Sequence, residues 1–467
     1  MQSAILLLAA AGAASAQLAT VSEPAPSAID AAAATAVPSS PVSNVQGLAF
    51  KNFYQIWLEN IDYGNASDDS NQQYLASKGI TLTNFWAVAH PSEPNYASTA
   101  AGDQFAMDND NFNQIPENVS TIVDVLETKG ISWGEYQEGL PYAGFQGFNY
   151  SNQETYANDY VRKHNPLILF DNVAGNASRA SQIKNFSSLW SDIENNTLPQ
   201  WAFITPNMTN DAHDTNITFA SIWERGFVEK LENSTDFWNE SLILLTFDET
   251  GDYPIKNKVF SVLIGGAIPS NLVGTVDDTF YTHYSTLATV QANWGLPSLG
   301  RWDCGANIFQ IVSNKTGYTN YQVDTTNLYI NSSFIGPLST NTYSNYSSVW
   351  PVPATGNETC SAGHGILASV KSTWGSLAAT YNYTSPFPFD TASKKDINIP
   401  FSRNGTTWVS GVNNTDVTSS KSSNSTGTTT GTSTSSSSSS TSTGAASVNG
   451  ASGVLALAAG AVLAFAL

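Results

Sequence analysis

Four runs of apolar residues, each about as long as a β-strand, end abruptly at polar residues. Near-continuous apolar runs of this length are typical of strands that are buried on both faces, as in a parallel sheet. The runs cover residues 53–58, 201–205, 242–247 and 259–264. We therefore expect these four segments to be strands of a buried, mainly parallel sheet.

Three amphipathic segments are predicted to be helices, at residues 121–129, 219–232 and 285–293. Strands that alternate with helices favour an open α/β sheet. The stretch from about residue 318 onwards is rich in Asn, Ser and Tyr, and its pattern is less regular. We expect this stretch to form an irregular or β appendage to the main domain.

The N-terminal part of the chain has the pattern of a secreted protein. Residues 1–16 form a short apolar run that closes on small residues, as a signal peptide does before its cleavage site. Residues 17–46 are rich in Ala, Pro and Ser and are predicted to be a flexible linker. Residues 47–400, including the appendage, are long enough to bury a full core and are predicted to be the main domain.

The C-terminal part has the order expected of a surface anchor. Residues 401–444 are rich in Ser and Thr and are predicted to be an O-glycosylated stalk. Residues 445–467 begin with small residues and end in an apolar tail, as a glycosylphosphatidylinositol (GPI) anchor signal does. The alternative is a transmembrane helix, but the tail is shorter than the ~20 residues of a span and no Lys or Arg follows it.

The composition of the chain indicates the cellular compartment of the protein but not its activity. Many Asn-x-Ser/Thr sequons in a chain with a signal peptide predict a glycoprotein. The two cysteines, Cys304 and Cys360, are expected to pair in an oxidising compartment, although two free thiols remain the alternative. The formal net charge of −20 disfavours binding to nucleic acid, because an acidic surface repels phosphate backbones.

Two of the predicted strands end in carboxylates. Glu59 and Asn60 follow the first run, and Asp248 and Glu249 follow the third. In open α/β sheets, ligands bind beyond the carboxyl ends of the strands, and hard divalent cations prefer such oxygen ligands. Zinc would also fit if a histidine joined them. The alternative is that these polar pairs are only caps or turns.

A serine between two prolines is the candidate nucleophile. Ser92 lies between Pro91 and Pro94, which stiffen the local backbone. Such a backbone could hold the hydroxyl toward a metal ion, which would lower its pKa and activate it for attack on phosphorus. The alternative is a plain proline-containing turn.

Four of the five histidines stand among polar residues. They could bind phosphate oxygens, protonate a leaving group or complete a metal site, whereas an isolated histidine is more often structural. Because an imidazole binds anions only when protonated, these roles predict an acidic pH optimum. The candidates are His90, His164, His213 beside Asp214, and His283.

The order of these motifs along the chain resembles that of fungal secreted acid phosphatases. They belong to the phosphoesterase family, which also contains phosphatidylcholine-type phospholipase C. The resemblance covers roughly residues 50–311 and rests on the combined order rather than on any one motif. The motifs are Glu59-Asn60, His90-Pro-Ser92-x-Pro-Asn-Tyr96, Lys163-His164-Asn165-Pro, Asp211-x-His213-Asp214 and Thr-Phe-Asp248-Glu249.

The resemblance implies an alkaline-phosphatase-like, three-layer α/β/α sandwich with a mainly parallel central sheet. It implies one divalent metal ion of unknown identity, held by Glu59, Asn60, Asp248 and Glu249, with Ser92 completing the shell and attacking phosphorus. Glu249 departs from the Asp of some bacterial members, which leaves the metal distance open. The implied catalytic residues are Ser92, His90, His164, His213, Asp214 and His283.

The expected function is a cell-surface acid phosphatase that hydrolyses small phosphate monoesters through a phosphoserine. Two alternatives stay open: a phospholipase C-like phosphodiesterase on the same scaffold, and a non-catalytic cell-wall glycoprotein. A sulfatase is disfavoured, because the Ser-x-Pro-x-Arg pattern of formylglycine formation would need Arg where the chain has Tyr96. The sequence predicts no oligomeric state.

Overall fold

The computed structural model describes residues 23–377 with several gaps, and the backbone of four later residues. The predicted signal peptide 1–16 and anchor signal 445–467 lie outside the described residues, as does almost all of the stalk 401–444, so these segments stay predictions. In the part that is described, no helix has both the length and the apolar character to cross a membrane. The described ranges are 23–323, 325–326, 328, 330, 337–340, 350–357 and 359–377, with backbone alone at 402–403 and 407–408.

A nine-stranded sheet forms the centre of the described structure. Its strands are β1 Asn52–Leu58, β2 Ile80–Trp86, β3 Trp133–Gln137, β6 Ile183–Asn185, β7 Trp201–Thr205, β8 Ser241–Phe247, β9 Lys258–Ile264, β10 Thr275–Asp277 and β11 Tyr281–Thr282. Two short antiparallel pairs lie outside it: β4 Asn149–Ser151 with β5 Asn158–Val161, and β12 Ser402–Arg403 with β13 Thr407–Trp408.

The strand order is β10-β2-β9-β8-β1-β7-β3-β6, with β11 paired to β2. Every pairing in this sheet is parallel except those of β9, which runs antiparallel to both β2 and β8. All four apolar runs are strands, but the run at 259–264 does not have the parallel direction of the other three. Only residues 248–257 connect β8 to β9, which is shorter than a parallel crossover needs, so the chain turns back antiparallel.

The central strands β1, β8 and β9 are almost wholly buried on both sides, since helices cover both faces of this sheet. One group of helices packs through α4 and α11, and another through α3 and α9. The structure thus confirms the predicted three-layer α/β fold with a mainly parallel sheet. The helices are α1 Pro26–Ala33, α2 Tyr63–Asp68, α3 Ser70–Ser77, α4 Glu93–Ala101, α5 Ile122–Glu127, α6 Asp171–Ala174, α7 Ala177–Ala180, α8 Phe186–Glu194, α9 Ile217–Glu232, α10 Thr235–Trp238, α11 His283–Trp294, α12 Gln310–Thr316 and α13 Ala368–Trp374.

The three predicted helices are present as α5, α9 and α11, and each begins at a capping side chain. Thr121 and Thr282 form capping boxes at α5 and α11, and Asn216 accepts a hydrogen bond from the backbone of α9. Such side chains satisfy backbone N–H groups that have no partner within the helix. The helix starts were therefore readable from polar residues just before each apolar pattern.

The segment expected to be a flexible linker, residues 17–46, is ordered in its described part. Residues Pro26–Ala33 form α1, and Ser43 bonds to Ser132 and Gln200 near the amino ends of β3 and β7. The side chain of Gln200 also bonds the backbone of Val45. These contacts with the edge of the sheet hold a stretch whose composition alone predicts flexibility.

The described part of the appendage packs against the main domain. Cys304 and Cys360 form the predicted disulfide. Backbone hydrogen bonds join Ala354 to Gly300, at 2.7 Å, and Leu367 to Ser298, at 2.8 Å. The described residues after 318 contain α13, but no strand of the main sheet.

Glu224 is a buried carboxyl that does not belong to the candidate catalytic residues. It lies in α9, and its Oε2 accepts a hydrogen bond of 2.6 Å from Gln72 of α3. Burial raises the pKa of Glu224 to about 7, which the hydrogen bond from Gln72 only partly opposes. The folded protein therefore holds a proton here over a pH range in which the unfolded chain has released it.

We predict that Glu224→Gln makes the stability of the protein less dependent on pH. The raised pKa stabilises the fold fully below the unfolded value near ~4.5, and this contribution of about 2 to 3 kcal/mol is lost as the pH rises through about 7. The Tm of the unaltered protein should fall between pH 5 and pH 8, and the variant should show a smaller fall.

The matched control is Glu229→Gln, an exposed position in the same helix. The hydrogen bond from Arg225 lowers the pKa of Glu229, so this carboxyl is ionised in both states from pH 5 to pH 8. The control should keep the full pH dependence of Tm. An identical pH dependence in both variants would show that Glu224 does not hold the proton.

Candidate active site

The two acidic strand ends lie side by side because β1 and β8 are neighbours in register. Leu58 pairs with Phe247, so Glu59 and Asp248 leave the sheet at the same edge. The Asp248 N–H donates to the carbonyl of Leu58 at 3.0 Å, and the Glu59 N–H donates to the carbonyl of Asp211 at 2.7 Å. Asp211 follows β7, so three adjacent parallel strands deliver carboxylates to one place.

Ser92 meets this edge from the start of α4. It stands directly before the helix, whose nine residues are all buried. Its Oγ lies 3.0 Å from Oε2 of Glu59 and 3.4 Å from Oε1 of Glu249. The hydroxyl also interacts with Asp248. The structure thus brings together the candidate nucleophile and the acidic residues that the sequence places 33 and 157 positions away.

The three carboxylates around Ser92 carry more negative charge than their neighbours neutralise. Burial and the charges of Glu59 and Glu249 raise the pKa of Asp248 well above its ordinary value. Burial, Glu59 and Asp110 do the same for Glu249. Within the described residues, Oδ2 of Asp248 is buried without a hydrogen-bond partner. Oxygen donors in this state fit a divalent cation, with Asn60 half-buried directly after Glu59.

A second group of possible ligands shares Glu59. Single ligand atoms of Glu59, His164 and Asp211 all lie within 4.8 Å of one another. However, Glu59 Oε1 already accepts a hydrogen bond of 2.6 Å from Tyr96 and lies 3.0 Å from Nε2 of His164. Nε2 of His164 and Oδ2 of Asp211 in this second group also lack hydrogen-bond partners within the described residues. We favour the oxygen group around Ser92 as the cation site, because it contains the hydroxyl that must be activated and because His164 already offsets the charge of Glu59 in the second group.

His164 joins Glu59 and Asp211 into a buried chain of charges. Its Nδ1 lies 3.5 Å from Oδ2 of Asp211. Burial alone would lower the pKa of His164, but the two carboxylates outweigh it and raise that pKa. In return His164, Lys163 and His213 hold the pKa of Glu59 below its ordinary value although burial opposes them. His164 is therefore a cation that stabilises ionised Glu59.

Lys163 and His213 lie on the partly exposed side of the site. Nζ of Lys163 is 3.1 Å from Oδ2 of Asp110 and 3.2 Å from Nε2 of His213. A lysine ammonium has only donors, so Nε2 of His213 is the acceptor and Nδ1 carries the hydrogen. That hydrogen is donated to Oδ1 of Asp214 at 2.8 Å, and Asn158 fixes the other oxygen of Asp214 at 2.7 Å.

His90 lies between Glu249 and the mouth of the site. Its Nδ1 contacts Oε2 of Glu249, and its ring stacks on the half-exposed ring of Tyr253 with centroids 4.2 Å apart. Burial lowers the pKa of His90 to about 4. This burial disfavours the protonated form of His90, which is the form that would bind phosphoryl oxygens.

The position of His283 also differs from expectation. We expected it to bind phosphoryl oxygens or donate a proton, but it is fully buried at the start of α11. Its Nε2 donates to the carbonyl of Asp248 at 2.6 Å, and its ring lies 4.2 Å from that of Trp57. Burial lowers its pKa to about 3. His283 therefore supports the backbone that carries Asp248.

Sequence reasoning did not select four residues that contact this site. Tyr96, Lys163 and Asp211 stand inside the quoted motifs, and Asp211 lies six positions after the end of a predicted strand, whereas Glu59 and Asp248 follow their strands directly. That position shortly after a strand could have identified Asp211. Asp110 lies in a run of Asp and Asn with no strand or helix pattern, so only the fold shows that it contacts Lys163.

A serine hydroxyl set among buried carboxylates, with a lysine and a histidine at the open side, defines the class as a phosphoester-hydrolysing enzyme. The chain belongs to the phosphoesterase family, whose sequence model matches residues 63–297. It is 64% identical over 392 residues to an acid phosphatase of Aspergillus fumigatus, covering 84% of this chain and 88% of that protein. This confirms the expected family and enzyme class, acid phosphatase.

Other proteins are similar to this chain over alignments of different length. An acid phosphatase of Aspergillus niger is 57% identical over 403 residues, covering 86% of this chain and 96% of that protein. A phosphatidylinositol-3-phosphatase of Mycobacterium tuberculosis is 30% identical over 229 residues, covering 48% of this chain and 70% of that protein. Among solved structures, the phosphonate monoester hydrolase of Agrobacterium radiobacter aligns with a TM-score of 0.37 and 9% identity, over 59% of this chain and 81% of that one. A likeness at that level carries no argument about function.

We predict that Asp248→Asn removes most of the bound divalent metal. The variant keeps the size of the side chain but removes the charge beside the unpartnered oxygen, so the metal affinity should fall about tenfold or more. The measurement is the metal content of the purified protein after dialysis.

Asp252→Asn is the matched control, since it makes the same change at an exposed residue in the same loop. It should keep the metal content of the unaltered protein. Equal metal content in both variants would contradict the assignment of Asp248 as a ligand.

Proposed function

We propose that this chain is a secreted, surface-anchored acid phosphatase that hydrolyses small phosphate monoesters through a phosphoserine at Ser92. The observation that carries the proposal is the position of Oγ of Ser92, 3.0 Å from Glu59 and 3.4 Å from Glu249 at the carboxyl edge of the sheet. Relatives over most of the chain are acid phosphatases, which supports the substrate class.

A divalent cation held by Glu59, Asn60, Asp248 and Glu249 would lower the pKa of the hydroxyl and offset the charge of the phosphoryl group. Ser92 then attacks phosphorus in line with the ester oxygen, so that its O–P bond forms as the bond to the leaving alcohol breaks. The hydrogen bond to Glu59 orients the hydroxyl for this attack, and Oε2 of Glu59 accepts the proton that the hydroxyl loses. Water later cleaves the phosphoserine from the face that the alcohol has left, which releases phosphate and restores Ser92.

The residues on the open side bind the phosphoryl oxygens and move the proton. Burial alone would lower the pKa of Lys163, but Glu59 and Asp110 outweigh it and raise that pKa, so its ammonium is a permanent cation for phosphoryl oxygens. When Lys163 turns to the substrate, Nε2 of His213 becomes free to hold a proton for the leaving alcohol, and Asp214 stabilises that protonated ring.

We predict that Ser92→Ala lowers kcat/KM for a chromogenic phosphate monoester by about a thousandfold or more, because the attacking oxygen is removed. The variant should also lack the phosphorylated form of the enzyme that rapid acid quenching and intact mass measurement detect in the unaltered protein. The matched control is Ser98→Ala in the same buried helix, which removes a hydroxyl bonded to the carbonyl of Pro94. It should keep activity within a few-fold.

Activity of Ser92→Ala within a few-fold of the unaltered protein would exclude Ser92 as the nucleophile. The same assay with phosphatidylcholine separates the monoesterase from the diesterase alternative, since a diesterase would prefer the lipid. A protein without any hydrolysis and with full metal content would favour the non-catalytic wall glycoprotein.

The proposed location rests on the predicted signals at residues 1–16 and 445–467. We predict that phosphatidylinositol-specific phospholipase C releases the full-length protein from intact cells, because a GPI anchor is its substrate. A chain that ends at residue 444 is the control and should enter the medium without this treatment. Retention of the full-length protein on treated cells, with release only by detergent, would favour a transmembrane tail.

A further inference from the structure

A large cavity lined by described residues lies away from the active site. It has a volume of about 1050 Å³ and is lined by residues from the end of α11, the end of α12 and the loop after the disulfide. His283 at the first turn of α11 contacts Asp248, whereas Trp294 at the last turn lines the cavity. A twelve-residue helix is roughly 16 to 18 Å long, so the two sites lie near opposite ends of α11.

Two lining residues that are themselves buried have a polar side-chain atom without a partner within the described structure. These atoms are Nε1 of Trp294, a residue that is 3% exposed, and Oγ of Ser361, a residue that is 7% exposed. Buried donors and hydroxyls of this kind are almost always hydrogen-bonded in folded proteins. Since both residues line a cavity large enough for a ligand, a polar molecule in it could provide the missing partners.

The charges of the lining favour a neutral ligand. None of the described lining residues is a carboxylate, although the whole chain has a net charge of −20. The ammonium of Lys129 is already used, because it donates to the carbonyl of Trp294 at 2.7 Å and so caps the end of α11. His364 is the other basic residue of the described lining and is exposed. Nothing here is arranged to bind a phosphate or a carboxylate tightly.

The lining also offers flat aromatic surface. The rings of Tyr318 and Tyr321 stand edge to face with centroids 6.3 Å apart, and both residues line the cavity. Tyrosine and tryptophan combine an apolar ring with a polar tip, which suits a ligand with both hydroxyls and an apolar face. A pyranose sugar has this character. The combination of neutral polar groups and aromatic rings therefore points to carbohydrate.

Two glycosylation sequons end in threonines that line the same cavity. Asn314 precedes Thr316 by two positions, and Asn357 precedes Thr359 in the same way. Both asparagines are exposed, and two residues span at most about 7 Å of chain. An N-linked glycan at either position would begin within reach of the cavity.

We propose that this cavity is a carbohydrate-binding site for oligosaccharides that contain N-acetylglucosamine, the sugar with which N-linked glycans begin. A glycan on Asn314 or Asn357 and a free wall oligosaccharide share this chemistry. The site gives a role to the appendage after residue 318, whose Tyr318, Tyr321 and Ser361 form much of the wall. The cavity needs no substrate at the active site, so its function is separate from phosphate hydrolysis.

The experiment titrates enzymatically deglycosylated protein with N,N′-diacetylchitobiose in a calorimeter. Saturable binding is expected, and Tyr318→Ala and Ser361→Ala should each weaken it about tenfold. The matched control Ser372→Ala lies outside the cavity, on α13, where its hydroxyl bonds the carbonyl of Ser369. It should bind as the unaltered protein does. All four proteins should hydrolyse the chromogenic monoester equally, which shows that each is folded.

Absence of saturable binding to the deglycosylated protein would overturn the proposal, as would equal binding by all three variants. The glycosylated protein then distinguishes the two sources of the sugar. If its own glycan occupies the cavity, the glycosylated protein will not bind the probe, and Asn314→Gln or Asn357→Gln will restore binding. If the ligand is a free oligosaccharide, the glycosylated protein will bind the probe as well. The first outcome also rests on the proposed secretion, which glycans at other sequons would test independently.

Discussion

The repulsion among buried carboxylates at one edge of the sheet is the constraint on which the site depends. Glu59, Asp248 and Glu249 are all excluded from solvent, and the in-register pairing of β1 with β8 keeps the first two together. His164 and Lys163 neutralise Glu59 but leave Asp248 and Glu249 with raised pKa values. Such a group must either hold protons or bind a cation. The hydroxyl of Ser92 therefore lies where a cation is needed most.

The sequence predicts the residues of this site that directly follow a strand. An apolar run that stops at a carboxylate places that carboxylate at the edge of a sheet, so Glu59 and Asp248 could be predicted from local pattern alone. The position of Ser92 required more, because α4 is buried along its whole length and packs on elements distant in the chain, such as α11. Its role came from the order of the motifs, and the structure shows contact with both strand ends.

What could not be predicted depends on contacts between distant segments. The direction of β9 follows from the length of the loop before it, since its apolar pattern is the same for either direction. His283 stands among polar residues in the sequence, yet the packing of α11 buries it behind Asp248. The composition of residues 39–45 predicts a flexible linker. It cannot reveal their hydrogen bonds to Ser132 and Gln200, which are distant in the chain.

Raised pKa values occur in two separate parts of the protein, at the open side of the active site and in the core. At the open side, Glu59 and Asp110 raise the pKa of Lys163 against the effect of burial, so its ammonium keeps its charge through the acidic and neutral range. Away from the site, burial raises the pKa of Glu135 to about 8 and that of Glu224 to about 7. Each of these carboxyls therefore contributes stability that is lost as the pH rises through its raised pKa. A substitution at the active site that changed the pH dependence of the activity would leave this pH dependence of the stability in place, because the two carboxyls belong to the core.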